Sequence, residues 1–383
     1  MGGPTDVARL AAHLRAATPA MLEDLRLLVE HESPTGDAAR LDALAETVAE
    51  RWADLGAGVR RYHRDGVGTH LQVRWPPGAA AARPALLLGH IDTVHAVGTL
   101  GRNPFRVEAG RAYGPGSQDM KAGVVLALHA VRALAELGVA PARPLVVLLT
   151  ADEEAGSRDS RPLIEEVAAA CAHALVLEAA GPGGSVKTAR KGVANYALTV
   201  TGRAAHAGQD FARGVNANGE LARLVVAAHE LSHPPAGTTL NVGVVAGGTR
   251  PNVVAESARA ELDVRFWDDA EAQRVERAVR ALQVGAGASL VVDGGVNRPA
   301  YRRTPAVGAL VEAARRVAAA LGHDLDETSV GGGSDGNLTA ALGLPTLDGL
   351  GAVGAGLHTA DEYVEVAALP GRAALLAGLL ASL

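Results

Sequence analysis

The stretch PALLLGHID, residues 84–92, decides the fold because a short apolar strand runs directly into polar side chains. Its apolar run is continuous, which is typical of a strand covered on both faces of a parallel sheet. The strand ends at His90, and Asp92 follows two residues later on the same face. In open α/β sheets the carboxyl ends of strands line the ligand crevice, so this stretch also predicts a site.

Segments of the same kind lie on both sides of this strand and alternate between strand and helix. Residues 71–75, 145–150 and 174–177 predict further strands, while residues 122–137 and 306–321 have helical periodicity. Near the N-terminus, residues 6–57 predict two amphipathic helices, with the break at residues 33–36, SPTG. The alternation predicts an α/β domain with a mixed, largely parallel sheet between helices.

The pattern changes between residues 192 and 300. Here the order is strand, helix, strand, strand, helix, strand, which suits a small ferredoxin-like α+β layer. We therefore expect one domain in two segments, residues 1–191 and 301–383, interrupted by an inserted domain at residues 192–300.

Composition excludes several classes of protein. The 383 residues exceed the size of one ordinary core, so two domains are expected. A net charge of −6 without a basic block excludes a nucleic-acid partner. The single cysteine, Cys171, excludes an intramolecular disulfide and a cysteine-rich zinc site.

Two features predict a cytoplasmic protein with no membrane partner. Asp6 and Arg9 precede any long apolar run, unlike a signal peptide. The apolar run at residues 373–383 is too short to cross a bilayer.

Side chains that bind metals follow the predicted strands or lie in glycine-rich loops. These imidazoles and carboxylates are His90, Asp92, Asp119, Glu153, Glu154, Glu178 and His358. Each has an ordinary interpretation when taken alone; Asp119, for example, suits the N-cap of the next helix. Together they are hard to explain, because clustered carboxylates are unfavourable unless a cation compensates them.

The ligand types predict zinc. Imidazole and carboxylate without thiolate suit Zn²⁺, with Co²⁺ or Mn²⁺ as substitutes. Two ions are expected, because Asp119, Glu154, Glu178 and one hydroxide together neutralise two dications. We expect Asp92 to contact the ring nitrogen of His90 that does not bind metal and so to fix the tautomer of His90.

With these motifs the sequence resembles the M20 metallopeptidases, which include glutamate carboxypeptidases, acetylornithine deacetylase and succinyl-diaminopimelate desuccinylase. The resemblance covers nearly the whole chain, and its motifs are specific when taken together. They are GHIDTV at 89–94, GPGSQDMKAG at 114–123, DEEAGS at 152–157, GRAAHAG at 202–208, PNVV at 251–254, DVR at 263–265, GGGSD at 331–335 and HTADEY at 358–363.

The resemblance implies a role for each metal ligand. Asp119 would bridge two zinc ions, with His90 and Glu178 completing one site and Glu154 and His358 the other. The peptide bond after Asp119 would be cis. The family often has proline directly after the residue matching Glu178, whereas residues 179–180 here are both alanine; the ligand is kept and only the loop shape differs.

The resemblance also implies the base, the lid and the substrate contacts. Glu153 would be the general base, and the inserted domain would be a lid that pairs two chains in a homodimer, with His206 reaching the partner subunit's site. The implied substrate-binding residues are His206, Asn252, Arg265, Arg298, Gly332 and Ser334.

We expect a hydrolase that cleaves an amide or peptide bond adjacent to a free carboxylate, as in a glutamate-type metallocarboxypeptidase. Glu178 and Arg298 favour that activity. An N-acyl-amino-acid deacylase is the alternative of the same fold. A non-catalytic metal-binding dimer predicts loss of the base or of a ligand, and a cofactor-binding α/β protein predicts an early glycine-rich phosphate loop; the sequence shows neither.

Overall fold

The computed structural model describes residues 4–76 and 82–383, which form two compact units. Unit 1 comprises Met1–Ala189, Arg302–Ser329 and Ser334–Leu383, and unit 2 comprises Arg190–Tyr301 and Val330–Gly333. The predicted inserted domain, residues 192–300, falls within unit 2. Its roles as a lid and as a dimerisation domain stay predictions.

Helices and strands follow one another along both units. The helices are α1 (Pro4–Ala16), α2 (Thr18–Glu30), α3 (Ala38–Ala53), α4 (Thr99–Arg102), α5 (Ala122–Glu136), α6 (Arg161–Ala170), α7 (Ala217–His229), α8 (Asp269–Arg280), α9 (Pro305–Ala320), α10 (Gly336–Ala341) and α11 (Leu369–Ser382). The strands are β1 (Gly58–Arg64), β2 (Gly68–Trp75), β3 (Ala85–His90), β4 (Arg106–Glu108), β5 (Arg111–Tyr113), β6 (Leu145–Thr150), β7 (His173–Val176), β8 (Val186–Arg190), β9 (Gly192–Thr201), β10 (Thr239–Gly247), β11 (Ser257–Phe266), β12 (Ser289–Arg298), β13 (Glu327–Val330), β14 (Thr346–Leu347), β15 (Gly354–Ala355) and β16 (Tyr363–Glu365).

A six-stranded mixed sheet forms the centre of unit 1, in the order β1-β2-β6-β3-β7-β14. The strands β6, β3, β7 and β14 are parallel, and β1 and β2 add an antiparallel edge. All residues of β3 and β6 are buried, as expected for strands with helices on both faces. The predicted mixed, largely parallel sheet is confirmed.

Two small sheets accompany the central one. A four-stranded antiparallel sheet has the order β15-β16-β5-β4, and β13 pairs with β8. The sequence analysis missed these short strands, because two to five residues show little measurable period. The sheet containing β16 matters for the site, because residue 358 lies on the connection between β15 and β16.

The N-terminal segment contains three helices, so the prediction of two was wrong. The helix α1 ends at Ala16, and α2 begins at Thr18 with Pro19 in its first turn. Proline lacks an N–H and suits the start of a helix rather than its interior, which explains the extra break. The predicted break at residues 33–36 is present, and Asp37 caps α3 by accepting from the N–H of Arg40.

The core of unit 1 consists mainly of alanine, valine and leucine, with Trp52 as its largest fully buried side chain. The helix α5 is buried over nearly its whole length and packs against α11, which is also apolar on most of its surface. In the described part of the chain, no helix combines the length and the apolar character needed to cross a membrane.

Unit 2 has a four-stranded antiparallel sheet in the order β10-β11-β9-β12, with the helices α7 and α8 in sequence between the strands. Buried and exposed residues alternate along β11, so the sheet has one buried face. The predicted order of strands and helices is confirmed. The edge strand β10 leaves Val244 and Val245 more than half exposed.

One close approach ties α5 to the end of β7. A Cβ added to Gly123 would lie 2.1 Å from the carbonyl oxygen of Leu177, far inside van der Waals contact. Gly123 therefore sets how closely the helix after Asp119 can approach the strand that leads to Glu178.

We predict that Gly123→Ala destabilises the protein by about 1–3 kcal/mol through overpacking, despite the gain of about 1 kcal/mol that alanine brings to a helix. The control is Gly371→Ala in α11, where an added Cβ meets nothing within 4 Å and stability should hold or rise. Denaturant unfolding measures both, and equal stability of the two variants would contradict the prediction.

Candidate metal centre

Neighbouring strands of the central sheet deliver three of the five predicted ligands. His90 is the last residue of β3, Glu154 lies in a single helical turn after β6, and Glu178 lies two residues beyond β7. These parallel strands end at the same edge of the sheet, so the side chains meet there. Asp119 comes from the irregular turn before α5, and His358 from the connection between β15 and β16.

The carboxylate of Asp119 lies between the two imidazoles. Its Oδ1 is 3.2 Å from His90 Nε2, and its Oδ2 is 3.1 Å from His358 Nε2. Glu178 Oε1 lies 3.7 Å from His90 Nε2, and Glu154 Oε2 lies 3.5 Å from His358 Nε2. The side chains thus group in the pairs that the family resemblance implies, and the Asp119–Met120 peptide bond is cis.

The donor set fits a divalent metal. Ligand atoms of His90, Asp119 and Glu154 all lie within 4.8 Å of one another. Glu154 Oε1 is buried and has no hydrogen-bond partner among the described residues. A buried oxygen without a partner is unfavourable, and a cation at this position would satisfy it.

The electrostatics also favour a cation. Burial lowers the pKa of His90, but hydrogen bonds with Asp119 and Asp92 outweigh burial and raise that pKa well above its usual value. Hydrogen bonds with Asp119 and Glu154 raise the pKa of His358 to about 10. Burial alone would raise the pKa of Asp119, yet the two histidines hold it below its usual range, and burial raises the pKa of Glu154. The cluster therefore attracts positive charge.

Asp92 supports the centre through contacts with three residues of the site. Its Oδ1 and Oδ2 accept hydrogen bonds from the backbone N–H groups of Glu153 and Glu154, each at 3.1 Å. His90 Nδ1 lies 3.0 Å from the backbone oxygen of Asp92 and 3.5 Å from its carboxylate. An Nδ1–H donated to this residue leaves Nε2 free for a metal.

The sequence analysis missed two residues that help to place these groups. Thr35 Oγ1 donates to Asp92 Oδ2 at 2.7 Å, although we interpreted its segment only as a helix break. His70 is fully buried in β2, and its Nδ1 accepts from the N–H of Ala151 at 3.0 Å. The sequence signal that could have identified His70 is a histidine next to the apolar residues of a predicted strand.

The predicted substrate residue Ser334 lies in unit 1, two positions after Gly332, which is assigned to unit 2. Its hydroxyl is fully buried and donates to Asp348 Oδ2 at 2.7 Å. The adjacent Asp335 is also buried and bonds to Ser157 and to Thr150. Ser334 therefore uses its side chain within the fold, and Asp335 ties the turn after β6 to α10.

The other predicted substrate residues lie in unit 2. His206 is exposed, and its Nδ1 accepts from the N–H groups of Gly208 and Gln209, each at 3.1 Å. In the neutral ring this leaves Nε2 as a hydrogen-bond donor. The segment of Asn252 lies alongside, because its carbonyl accepts from the N–H of Ala207 at 3.0 Å.

The two arginines predicted to bind substrate differ in their surroundings. Arg265 forms a two-bond pair with Asp263, at 2.7 and 2.8 Å, which uses one edge of its guanidinium group. Arg298 is 4% exposed at the end of β12 and packs against Gly333. Gly332 is exposed, and its carbonyl accepts from Arg190 at 3.1 Å.

Comparison with known proteins gives consistent findings. The family model described as Peptidase family M20/M25/M40 matches residues 86–382. The chain is 32% identical to Carboxypeptidase G2 from Pseudomonas sp. (strain RS-16), over 95% of this chain and 89% of that protein. It is 28% identical to a succinyl-diaminopimelate desuccinylase from Acidovorax ebreus (strain TPSY), over 88% of this chain and 92% of that protein.

The fold has a solved counterpart. The structure is similar to aminopeptidase PepT from Bacillus cereus ATCC 10987, with a TM-score of 0.75 and 24% sequence identity. The match covers 95% of this chain and 98% of the other. At this identity the likeness supports the fold alone.

We predict that Zn²⁺ or Co²⁺ stabilises protein first stripped of metal with a chelator. Binding to the folded state alone adds about 2.7 kcal/mol when free metal is 100 times its dissociation constant. His90→Ala should lose most of this gain. His323→Ala should keep it, because His323 is exposed and its Nδ1 contacts the adjacent carbonyl of Asp324. Thermal unfolding with and without metal is the measurement. Equal stabilisation of both variants would contradict a metal centre at His90.

Proposed function

The chain belongs to peptidase family M20/M25/M40, and from this membership we propose that it is a two-zinc hydrolase cleaving an amide or peptide bond next to a free carboxylate. The observation that carries the proposal is the cluster of two imidazoles and three carboxylates, with Asp119 as its central carboxylate. Small peptides or N-acyl amino acids are the proposed substrates.

In this proposal Asp119 would be shared by two zinc ions, with His90 and Glu178 completing one site and Glu154 and His358 completing the other. Co²⁺ or Mn²⁺ would substitute. When bound, the ions would lower the pKa of a water molecule and polarise the scissile carbonyl. Short distances between Asp119 and both histidines support this assignment of ligands.

Glu153 is the proposed general base. It would take a proton from the attacking water and later give that proton to the leaving amine, which is worth typically ~10²–10⁴-fold in rate. Its position next to Glu154 supports the role, since both backbone N–H groups bond to Asp92. Asp92 thus orients the base through its carboxylate and His90 mainly through its backbone oxygen, and we assign Asp92 this positioning role.

His206 is the proposed donor to the oxyanion of the tetrahedral intermediate. The two N–H groups donated to its Nδ1 favour the tautomer with a proton on Nε2. The proposal keeps unit 2 as a lid that pairs two chains in a homodimer, with His206 acting in the partner subunit's site. The exposed Val244 and Val245 on the edge strand β10 support such pairing.

Recognition of the substrate carboxylate is assigned to Arg298, with Arg265, Asn252 and the backbone around Gly332 as further contacts. A guanidinium fork matches a carboxylate with two parallel hydrogen bonds. Arg298 is placed first because it is buried at the end of β12, beside the glycine-rich segment at Gly333. The side chain of Ser334 is left out of the proposed contacts, because it is buried on Asp348.

We propose a glutamate-type carboxypeptidase as the specific activity. The 32% identity to Carboxypeptidase G2 supports this choice. The second candidate is an N-acyl-amino-acid deacylase, which the 28% identity to a succinyl-diaminopimelate desuccinylase supports. A panel of N-acyl glutamates, dipeptides, N-acetylornithine and N-succinyl-diaminopimelate separates the two, and we expect the highest kcat/KM for an N-acyl glutamate.

We predict that Glu153→Gln lowers kcat by ~10²-fold or more while two metal ions per chain stay bound, because only the proton acceptor is lost. Glu166→Gln, on the exposed face of α6, is the matched control and should keep full activity. Turnover and metal content are measured on the same samples. Near-normal turnover by Glu153→Gln would remove Glu153 as the base.

We also predict that Arg298→Lys raises KM for an N-acyl glutamate by ~10-fold or more, because an ammonium group cannot form the two-bond contact. The control is Arg259→Lys on β11, where the arginine is exposed and pairs with Glu261. Steady-state kinetics give the answer, and an unchanged KM would assign the carboxylate to another residue.

A further inference from the structure

Glu362 is a buried carboxylate that the proposed mechanism does not use. Its side chain is 0% exposed. Oε1 accepts hydrogen bonds from the backbone N–H groups of Gln118 at 2.7 Å and Asp119 at 2.9 Å. Oε2 accepts from the N–H of Gly116 at 2.9 Å. Three backbone amides of the loop that carries Asp119 therefore converge on one side chain.

His95 supplies the fourth contact. Its Nε2 lies 2.7 Å from Glu362 Oε2. An ionised carboxylate only accepts hydrogen bonds, so His95 donates its Nε2–H to an oxygen that already accepts from Gly116. These four hydrogen-bond donors compensate the burial of the carboxylate. The site therefore requires a carboxylate at position 362. The sequence analysis placed Glu362 in the motif HTADEY and gave it no role.

The position of Glu362 in the chain connects two ligand loops. It lies four residues after His358 and directly before Tyr363 of β16, which pairs with Tyr113 of β5. The backbone carbonyl of Glu362 also accepts from Gly114 at 3.3 Å. One residue thus holds the loop of Asp119 against the loop of His358.

The paired strands behind Glu362 are held by a stack of side chains. The rings of Tyr113 and Tyr363 lie 5.4 Å apart, centre to centre. The guanidinium groups of Arg106 and Arg111 lie 4.2 and 4.3 Å from the centres of these rings. Such cation–π contacts stabilise the pairing of β5 with β16. Glu362 is directly attached to the start of β16.

We propose that Glu362, supported by His95, is a positioning residue that sets Asp119 against His358 and thereby sets the metal affinity of the centre. This inference rests on the metal ligands of the proposed function. Without the Glu362 carboxylate, the N–H groups of Gln118 and Asp119 lose their acceptor, and the loop must move to find another. Any such movement shifts Asp119 relative to His358.

The test compares Glu362→Gln with Glu365→Gln in the full chain. Glutamine keeps the size of Glu362 but turns an NH₂ group towards donors. Glu365 lies on the same strand β16 and is partly exposed beside Arg111, so its variant is the matched control. Circular dichroism of the metal-free proteins first shows that both are folded. The dissociation constant for Zn²⁺ is then measured by competition with a chromogenic chelator, and the Co²⁺ form is examined by visible absorption.

We expect Glu362→Gln to weaken Zn²⁺ binding by ~10–100-fold and to change the Co²⁺ spectrum, as is typical for residues that support metal ligands. Glu365→Gln should match the unmodified protein in both measurements. Wild-type affinity and an unchanged spectrum in Glu362→Gln would overturn the proposal. Neither measurement involves turnover, so an inactive protein would contradict the proposed hydrolase and leave this result standing.

A second variant covers the case in which Glu362→Gln does not fold. His95→Gln removes one donor of the four and leaves the carboxylate in place. We expect weaker Zn²⁺ binding and a changed Co²⁺ spectrum, both smaller in extent than for Glu362→Gln. Wild-type values for His95→Gln, in the absence of a folded Glu362→Gln protein, would overturn the proposal.

Discussion

The two oxygens of Asp119 each face a different imidazole, and the rest of unit 1 serves to hold that contact. One imidazole belongs to the end of a central strand, and the other to a connection in a small peripheral sheet. Two separate parts of the fold must therefore be positioned together to bring Asp119 between the imidazoles. The buried strands β3 and β6 fix one side, and the pairing of β16 with β5 fixes the other.

Much of this arrangement was predictable from local patterns. The run at residues 145–150 coincides with β6, because a buried parallel strand is apolar throughout. The strand and helix order of unit 2 was equally clear from alternation. The candidate ligands were found because polar side chains directly follow such strands, although their grouping into pairs came from the family resemblance and not from spacing.

The features that escaped prediction depend on contacts distant in sequence. The strand β1 has mostly exposed residues, so it carries no apolar signal, and β2 pairs antiparallel for reasons its own sequence does not contain. The hydroxyl of Ser334 donates to Asp348, a partner that the motif around Ser334 does not indicate. Thr35 and Glu362 look like ordinary polar residues until their partners are known. Pairing across long separations is what a single sequence leaves open.

The order in which the ligands occur along the chain has a consequence for synthesis. Four of them lie between residues 90 and 178, whereas His358 is separated from Asp119 by 239 positions, with the whole of unit 2 in between. During synthesis, the segment that carries the first four ligands, with their surplus negative charge, would therefore leave the ribosome long before His358 does. Closing so long a loop is slow relative to local folding. The full set of ligands therefore exists only after the segment that carries His358 has been made and has folded back onto Asp119.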